Sequence, residues 1–126
     1  MSSAENGFGA VEIKAFVPAR DFALSKRFYE ELGFEIPWSG DTLAYMRLGD
    51  TAFFLQKFYV VEHADNFMMH LIVRGVESWW ARVQQAGIPG RYGVRTVAPQ
   101  DQSWRQRDFV LLDPSAVLWR IAQNTT

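Results

Sequence analysis

A chain of 126 residues has room for one domain, or for two halves that share a core. Hydrophobic residues at 48% and charged residues at 21% are ordinary for a globular protein and exclude a disordered one. A formal charge of -1 offers no field to phosphate backbones, and the absence of cysteine excludes disulfides, thiol catalysis and cysteine-bound zinc.

No apolar run approaches membrane-spanning length. Neither nucleic acid nor membrane is therefore an expected partner, and a reducing cytoplasm is the expected location. Aromatic residues reach 15%, and such rings fill cores or line small-molecule pockets.

Residues 1–9 are polar and rich in Gly and Ser, and read as a flexible tail rather than a signal peptide. Residues 11–17 alternate and favour a strand. Asp21 suits an N-cap, and Phe22, Ser25, Phe28, Tyr29 and Leu32 share one face of the helix that follows, with Gly33 as its stop. Strands are predicted at 34–38, 43–48 and 51–58, the last two joined by a turn at Gly49-Asp50.

The pattern then recurs. A strand is predicted at 67–73 and a helix at 76–86, with Gly87 as its stop and a turn at 88–90. Strands follow at 95–98, 107–112 and 117–123. Trp79 and Trp80 cannot both face inward on one helix. Asp21 and Gly33 lie 12 positions apart, as do Gly75 and Gly87, and the two pairs are offset by 54. The same offset lays Lys14 over Met68 and Phe16 over His70. Residues 49–56 lie over 113–120 at an offset of 64, so the second half has gained about ten residues between Pro89 and Arg107.

Four stretches carry a family likeness. They are P-A-R-D-F-A-L-S-K-R-F-Y-E-E-L-G-F at 18–34, V-R-G-V at 73–76, W-R-Q-R-D-F at 104–109 and D-P-S-A-V-L-W-R at 113–120. In this order they resemble the vicinal oxygen chelate superfamily of glyoxalases, bleomycin-resistance proteins and extradiol dioxygenases. In length and landmarks the chain looks most like the bleomycin-resistance proteins.

The resemblance implies an α+β fold. Two tandem βαβββ modules, at about 10–60 and 66–124, form a curled mixed sheet around a cavity, with helices on the outer face. It also implies a homodimer that completes two equivalent clefts, and a small-molecule ligand. Enzymes of the superfamily hold a divalent metal at positions that fall here on Lys14, Gln56, Met68 and Arg120. Two cations, an amide and a thioether are poor ligands for such an ion. No metal, no cofactor and no catalytic residue is expected.

If those positions face a cavity, so do their neighbours two residues away. The expected ligand-binding face carries Lys14, Phe16, Phe54, Gln56, Met68, His70, Leu118 and Arg120. Ile13, Ala15, Val17, Leu55, Leu71, Trp119 and Ile121 then pack under the helices. A metal displaced toward His70 would lack a partner, because Phe16 holds the equivalent place. Trp38 and Trp104 complete the candidate site as rings in loops or strand ends. Gln102-Ser103-Trp104 matches a loop that stacks on the drug in the binding relatives. Those relatives have glycine where this chain has Arg105, a departure expected to alter the loop. Ala15 stands where some of them carry a proline associated with arm exchange.

Each choice has a plainer competitor. A loop tryptophan also anchors its own module, and a histidine or arginine on a sheet face also serves by pairing with a neighbour. The bleomycin binders are strongly acidic, whereas this chain is near neutral, so another planar or peptide-like natural product is equally open. The expected function is metal-free binding and sequestration of an antibiotic or toxin. The alternative is a lyase, isomerase or dioxygenase-type enzyme, with a displaced metal or His70 and Arg120 in acid–base roles. A third reading is a sensor or partner-binding module.

Overall fold

Strand alternation and glycine punctuation build the same unit twice. The computed structural model describes residues 7–125; residues 1–6 of the expected tail lie outside the described residues. The first module comprises β1 (Phe16–Pro18), α1 (Phe22–Leu32), β2 (Glu35–Ser39), β3 (Leu43–Leu48) and β4 (Thr51–Gln56). A short helix, α2 (Val61–Asp65), leads into the second. That module comprises β5 (Met68–Ile72), α3 (Val76–Gln85), α4 (Ile88–Tyr92), β6 (Thr96–Gln102), β7 (Gln106–Leu112) and β8 (Leu118–Asn124). Both sheets have four strands in equivalent orders, β1-β4-β3-β2 and β5-β8-β7-β6. In each, the first strand pairs in parallel with the last and the other pairings are antiparallel. The sheets are mixed and open, as the curled architecture requires.

Local chemistry fixes the helices. The Asp21 carboxylate accepts from the Leu24 N–H at 3.1 Å and caps α1. Gly33 ends it at φ 122, a backbone conformation that only glycine adopts without strain. Phe28, Tyr29 and Leu32 of α1 are fully buried. Trp80 of α3 packs edge-on against Phe109, with ring centroids 5.2 Å apart. Trp79 lies beside the Arg82 guanidinium, yet it too is partly buried against the core, so both rings reach it, contrary to the expectation that only one could.

One face of each sheet forms the core. Val17, Leu55, Leu71, Trp119 and Ile121 are buried beneath the helices as expected, joined by Met46, Phe53, Phe109 and Leu111. The buried residues of both modules belong to one cluster. At its centre the Tyr29 hydroxyl of α1 donates to Asp113 Oδ2 at 2.5 Å and accepts from the Trp119 indole N–H at 2.9 Å. The other carboxylate oxygen of Asp113 accepts from the backbone N–H groups of Ser115 and Val117, at 2.8 and 2.9 Å, and shapes the turn into β8. The Arg20 N–H donates to Ser115 Oγ at 2.9 Å, a second tie between the modules.

Several expectations are corrected. The first strand was expected to span 11–17, but β1 begins at Phe16, and Ile13 is 95% exposed rather than part of the core. The register Phe16↔Phe54 explains this. It sets Ile13 opposite Thr51, the first residue of β4, so earlier residues run past the end of the sheet. The segment 88–90, expected as a turn, is helical in α4, and between the strands predicted at 51–58 and 67–73, where no element was expected, residues Val61–Asp65 form helix α2. Five-residue helices carry too few turns to show periodicity. The extra residues of the second half mostly form ladder, because β6 runs on to Gln102 and β7 starts at Gln106.

Burial pushes the Asp113 carboxyl up to about 6, and the hydrogen bonds from Tyr29, Val117 and Ser115 only partly oppose it. The folded chain therefore holds this proton more tightly than the unfolded chain. The resulting stability is fully present below pH 4 and is lost as pH rises through about 6. Denaturant titrations at pH 5 and pH 7.5 should show wild type losing about 1 kcal/mol more than Asp113→Asn over that interval. Equal pH dependence of the two proteins would contradict this assignment.

Candidate functional site

The other face of each sheet turns away from the core, and the two faces form two floors, one on each sheet. On the first sheet, Phe16 meets Phe54 across the β1–β4 pair with ring centroids 5.1 Å apart. Tyr45 of β3 continues the row at 5.7 Å from Phe54, and Trp38 of β2 pairs with Tyr45 in register. The Lys14 ammonium lies 5.4 Å from the Tyr45 ring and 5.8 Å from the Phe54 ring, and is ion-paired with Glu12. Gln56 ends this floor and makes no side-chain hydrogen bond among the described residues. Trp38 is 54% exposed, yet its indole folds back over Gly40, where an added Cβ would sit 3.2 Å from the ring. It thus packs partly on its own hairpin.

The second floor is more polar and more tightly organised. His70 of β5 and Arg120 of β8 are register partners. An Arg120 Nη1–H donates to Asp108 Oδ2 at 3.1 Å, and the Gln102 amide donates to Asp108 Oδ1 at 3.0 Å. Asp108 is buried, so its charge is matched by the partly covered guanidinium above it. The Trp104 ring lies over Arg120, with the guanidinium carbon 6.0 Å from the ring centroid, and is 53% exposed on its outer side.

Gln106 organises this floor. The Trp104 indole N–H donates to Gln106 Oε1 at 3.0 Å, and the Gln106 amide donates to Asn124 Oδ1 at 3.0 Å. His70 Nε2 also lies 3.1 Å from Gln106 Oε1. An indole N–H can only donate, so Oε1 is an acceptor. His70 Nε2 therefore acts as the donor in that contact.

The nine expected ligand-binding residues thus fall into two groups. Lys14, Phe16, Trp38, Phe54 and Gln56 stand on the first floor; Met68, His70, Trp104 and Arg120 stand on the second. Among the described residues, no hydrogen bond, ring contact or strand pairing joins one group to the other. Trp104 lies in the β6–β7 turn, and the Arg105 that follows it has φ 62. That is a left-handed backbone conformation, which a non-glycine residue adopts only at some cost.

Sequence reading missed Gln106, Asp108 and Tyr45. Apart from Trp38 and the loop at Gln102-Ser103-Trp104, it followed the first and last strands of each module, where the metal positions fall. Alternation along 106–112 would have placed Gln106 and Asp108 on the same face as Arg120.

A divalent metal does not fit the four positions that the family likeness assigns to it. Lys14 and Arg120 are cations held by Glu12 and Asp108, Met68 offers a thioether, and Gln56 offers one neutral amide. No group of three His, Cys, Asp or Glu side chains with metal-binding geometry occurs among the described residues.

The fold, with two outward-facing floors on paired modules, defines the class. Residues 11–121 match the family described as the Glyoxalase/Bleomycin resistance protein/Dioxygenase superfamily, and the chain belongs to it. A bleomycin-binding protein solved in complex with bleomycin is 26% identical and superposes with a TM-score of 0.79, covering 91% of this chain and 99% of that one. A bleomycin resistance determinant encoded on the transposon Tn5 is 24% identical with a TM-score of 0.79, covering 93% of this chain and 100% of that one. Lactoylglutathione lyase from Agrobacterium tumefaciens shares the fold at 10% identity and a TM-score of 0.68, covering 90% of this chain and 93% of that one. No curated protein matches the sequence significantly.

The second floor depends on its charge balance. Asp108→Asn should destabilise the chain by about 2 kcal/mol, because it leaves Arg120 partly covered and without its carboxylate. Asp108→Leu combined with Arg120→Met should recover most of that loss in urea titrations. A double variant no more stable than Asp108→Asn would show that the ion pair is not what the floor requires.

Proposed function

We propose that this protein binds and sequesters a small planar or peptide-like antibiotic or toxin, one ligand per chain, without transforming it. The observation that carries this reading is Trp104. Its outer face is open, its indole N–H is fixed by Gln106, and its inner face rests on a guanidinium that Asp108 neutralises. Such a ring is pre-ordered for stacking and needs little further ordering when a flat ligand arrives. A solved relative of similar length binds bleomycin, which supports the ligand class. The unsuitable donor set at Lys14, Gln56, Met68 and Arg120 supports a site that works without metal or cofactor.

A homodimer completes the proposal. Val11 and Ile13 project fully exposed ahead of β1, and each floor leaves large apolar groups open, including Phe16 and Trp38 on one and Met68 and Ile72 on the other. A second copy would cover the arm and bring the first floor of one protomer against the second floor of its partner. The dimer would thereby unite the two groups that the single chain keeps apart. No helix of the described residues is long and apolar enough to cross a membrane, and the cysteine-free composition suits the cytoplasm.

The enzyme reading rests on one observation, the His70 imidazole held by Gln106 at the strand position paired with Arg120. It calls for a ligand whose proton is taken and whose developing charge is stabilised.

Both readings meet in one titration. Tryptophan fluorescence should quench saturably at one ligand per chain with metal-free bleomycin, copper-loaded bleomycin or a quinoxaline antibiotic. Trp104→Phe should weaken binding about tenfold or more, as loss of a central stacking residue does. Absence of response to all three would remove the sequestration reading and favour the enzyme.

A further inference from the structure

One pocket shares no residue with either floor. It opens at the end of the second sheet away from the Trp104 turn and has a volume of about 300 Å³. Arg95, ahead of β6, and the turn from β7 into β8 form one side, and Tyr92 at the end of α4 forms another. Arg20, just after β1, reaches it from the first module. The pocket therefore spans both modules, beside the hydrogen bond from the Arg20 N–H to Ser115 Oγ. Its size is that of a small-metabolite site.

Charge narrows the occupant. Arg20 and Arg95 are both exposed, and among the described residues neither guanidinium has an ion-pair or hydrogen-bond partner. The Arg20 guanidinium instead lies over the Tyr59 ring, 5.7 Å from its centroid, which restricts it without neutralising it. Asp113 also lines the pocket, but its carboxylate is turned inward: Oδ1 accepts from Ser115 and Val117, and Oδ2 from Tyr29. The nearby Glu31 carboxylate, bound by the Tyr92 hydroxyl at 2.7 Å, is already matched by Arg91. Arg27 adds positive charge that acts on both Glu31 and Tyr92. The pocket is thus locally basic, although the whole chain carries a formal charge of -1.

We infer that this pocket is a binding site for a phosphate monoester, its dianionic head held between Arg20 and Arg95. A guanidinium presents parallel N–H groups that match two oxygens of a phosphate. A monoester brings about two negative charges at neutral pH, enough to answer both arginines. Tyr92, Val94 and Leu112 offer its organic part an apolar wall. The site lies within one chain and away from the surfaces on which an antibiotic would stack, so it is independent of the sequestration reading.

The test is calorimetric titration of the intact chain at neutral pH with three probes. n-Butyl phosphate is a monoester with no ring to stack on Trp104, dibutyl phosphate is a diester with a single charge, and succinate carries its two charges on separate carboxylates. n-Butyl phosphate should bind saturably at one per chain, and the other two about tenfold more weakly or worse. Arg20→Gln and Arg95→Gln should each weaken n-butyl phosphate about tenfold or more. Arg47→Gln, which removes an equal charge from β3, should bind as wild type does, and so should Trp104→Phe. No saturable heat with n-butyl phosphate, unchanged affinity in both pocket variants, an equal loss in Arg47→Gln, or equal binding of succinate or dibutyl phosphate would overturn the inference. If Arg20→Gln fails to fold, Arg95→Gln and the probe comparison on wild type decide.

Discussion

The hydrogen bonds among Tyr29, Asp113 and Trp119 are the constraint from which the rest of the molecule follows. They tie the helix of the first module to the final turn and strand of the second, inside the buried core. A buried carboxylate without a cation is costly, and its elevated pKa reports that cost. Its return is specificity. The observed docking satisfies the phenol, the indole and the two backbone N–H groups of the turn together. With one face of each sheet committed to this shared core, the other faces of both sheets must look outward.

Those outward faces carry the four positions that the family likeness assigns to a metal. On each floor a cationic side chain occupies one of the positions in question, and each cation is matched by a carboxylate close by. The result is a pair of locally neutral surfaces, rich in rings and amides, rather than a hard cationic centre. Such surfaces suit shape and stacking recognition, with a few polar groups to fix orientation. Gln106 shows how little chemistry this needs. One carbonyl oxygen accepts from an indole and an imidazole at once.

Much of this was legible in the sequence because it depends on period and punctuation. The paired spacing of Asp21 with Gly33 and of Gly75 with Gly87 located both long helices and the repeat. Alternation placed Val17, Leu55, Leu71, Trp119 and Ile121 in the core. What escaped depends on partners far away in the chain. Ile13 alternates properly, but the register with β4 leaves nothing for it to pack on. α2 and α4 are too short for a period to show. Gln106 and Asp108 are unremarkable in sequence and gain their roles only when β7 lies beside β8. The division of the site residues into two floors likewise depends on how the modules dock.

The central claim is that these floors are built for ring stacking and hydrogen bonding instead of metal coordination. Metal content of the purified protein, followed by calorimetric titration with zinc, nickel and manganese, tests it most directly. A chain built this way carries far less than one divalent ion per protomer and gives no saturable heat with any of the three. One ion bound per protomer, with binding abolished by His70→Ala, would contradict it and would make the second floor a displaced metal centre.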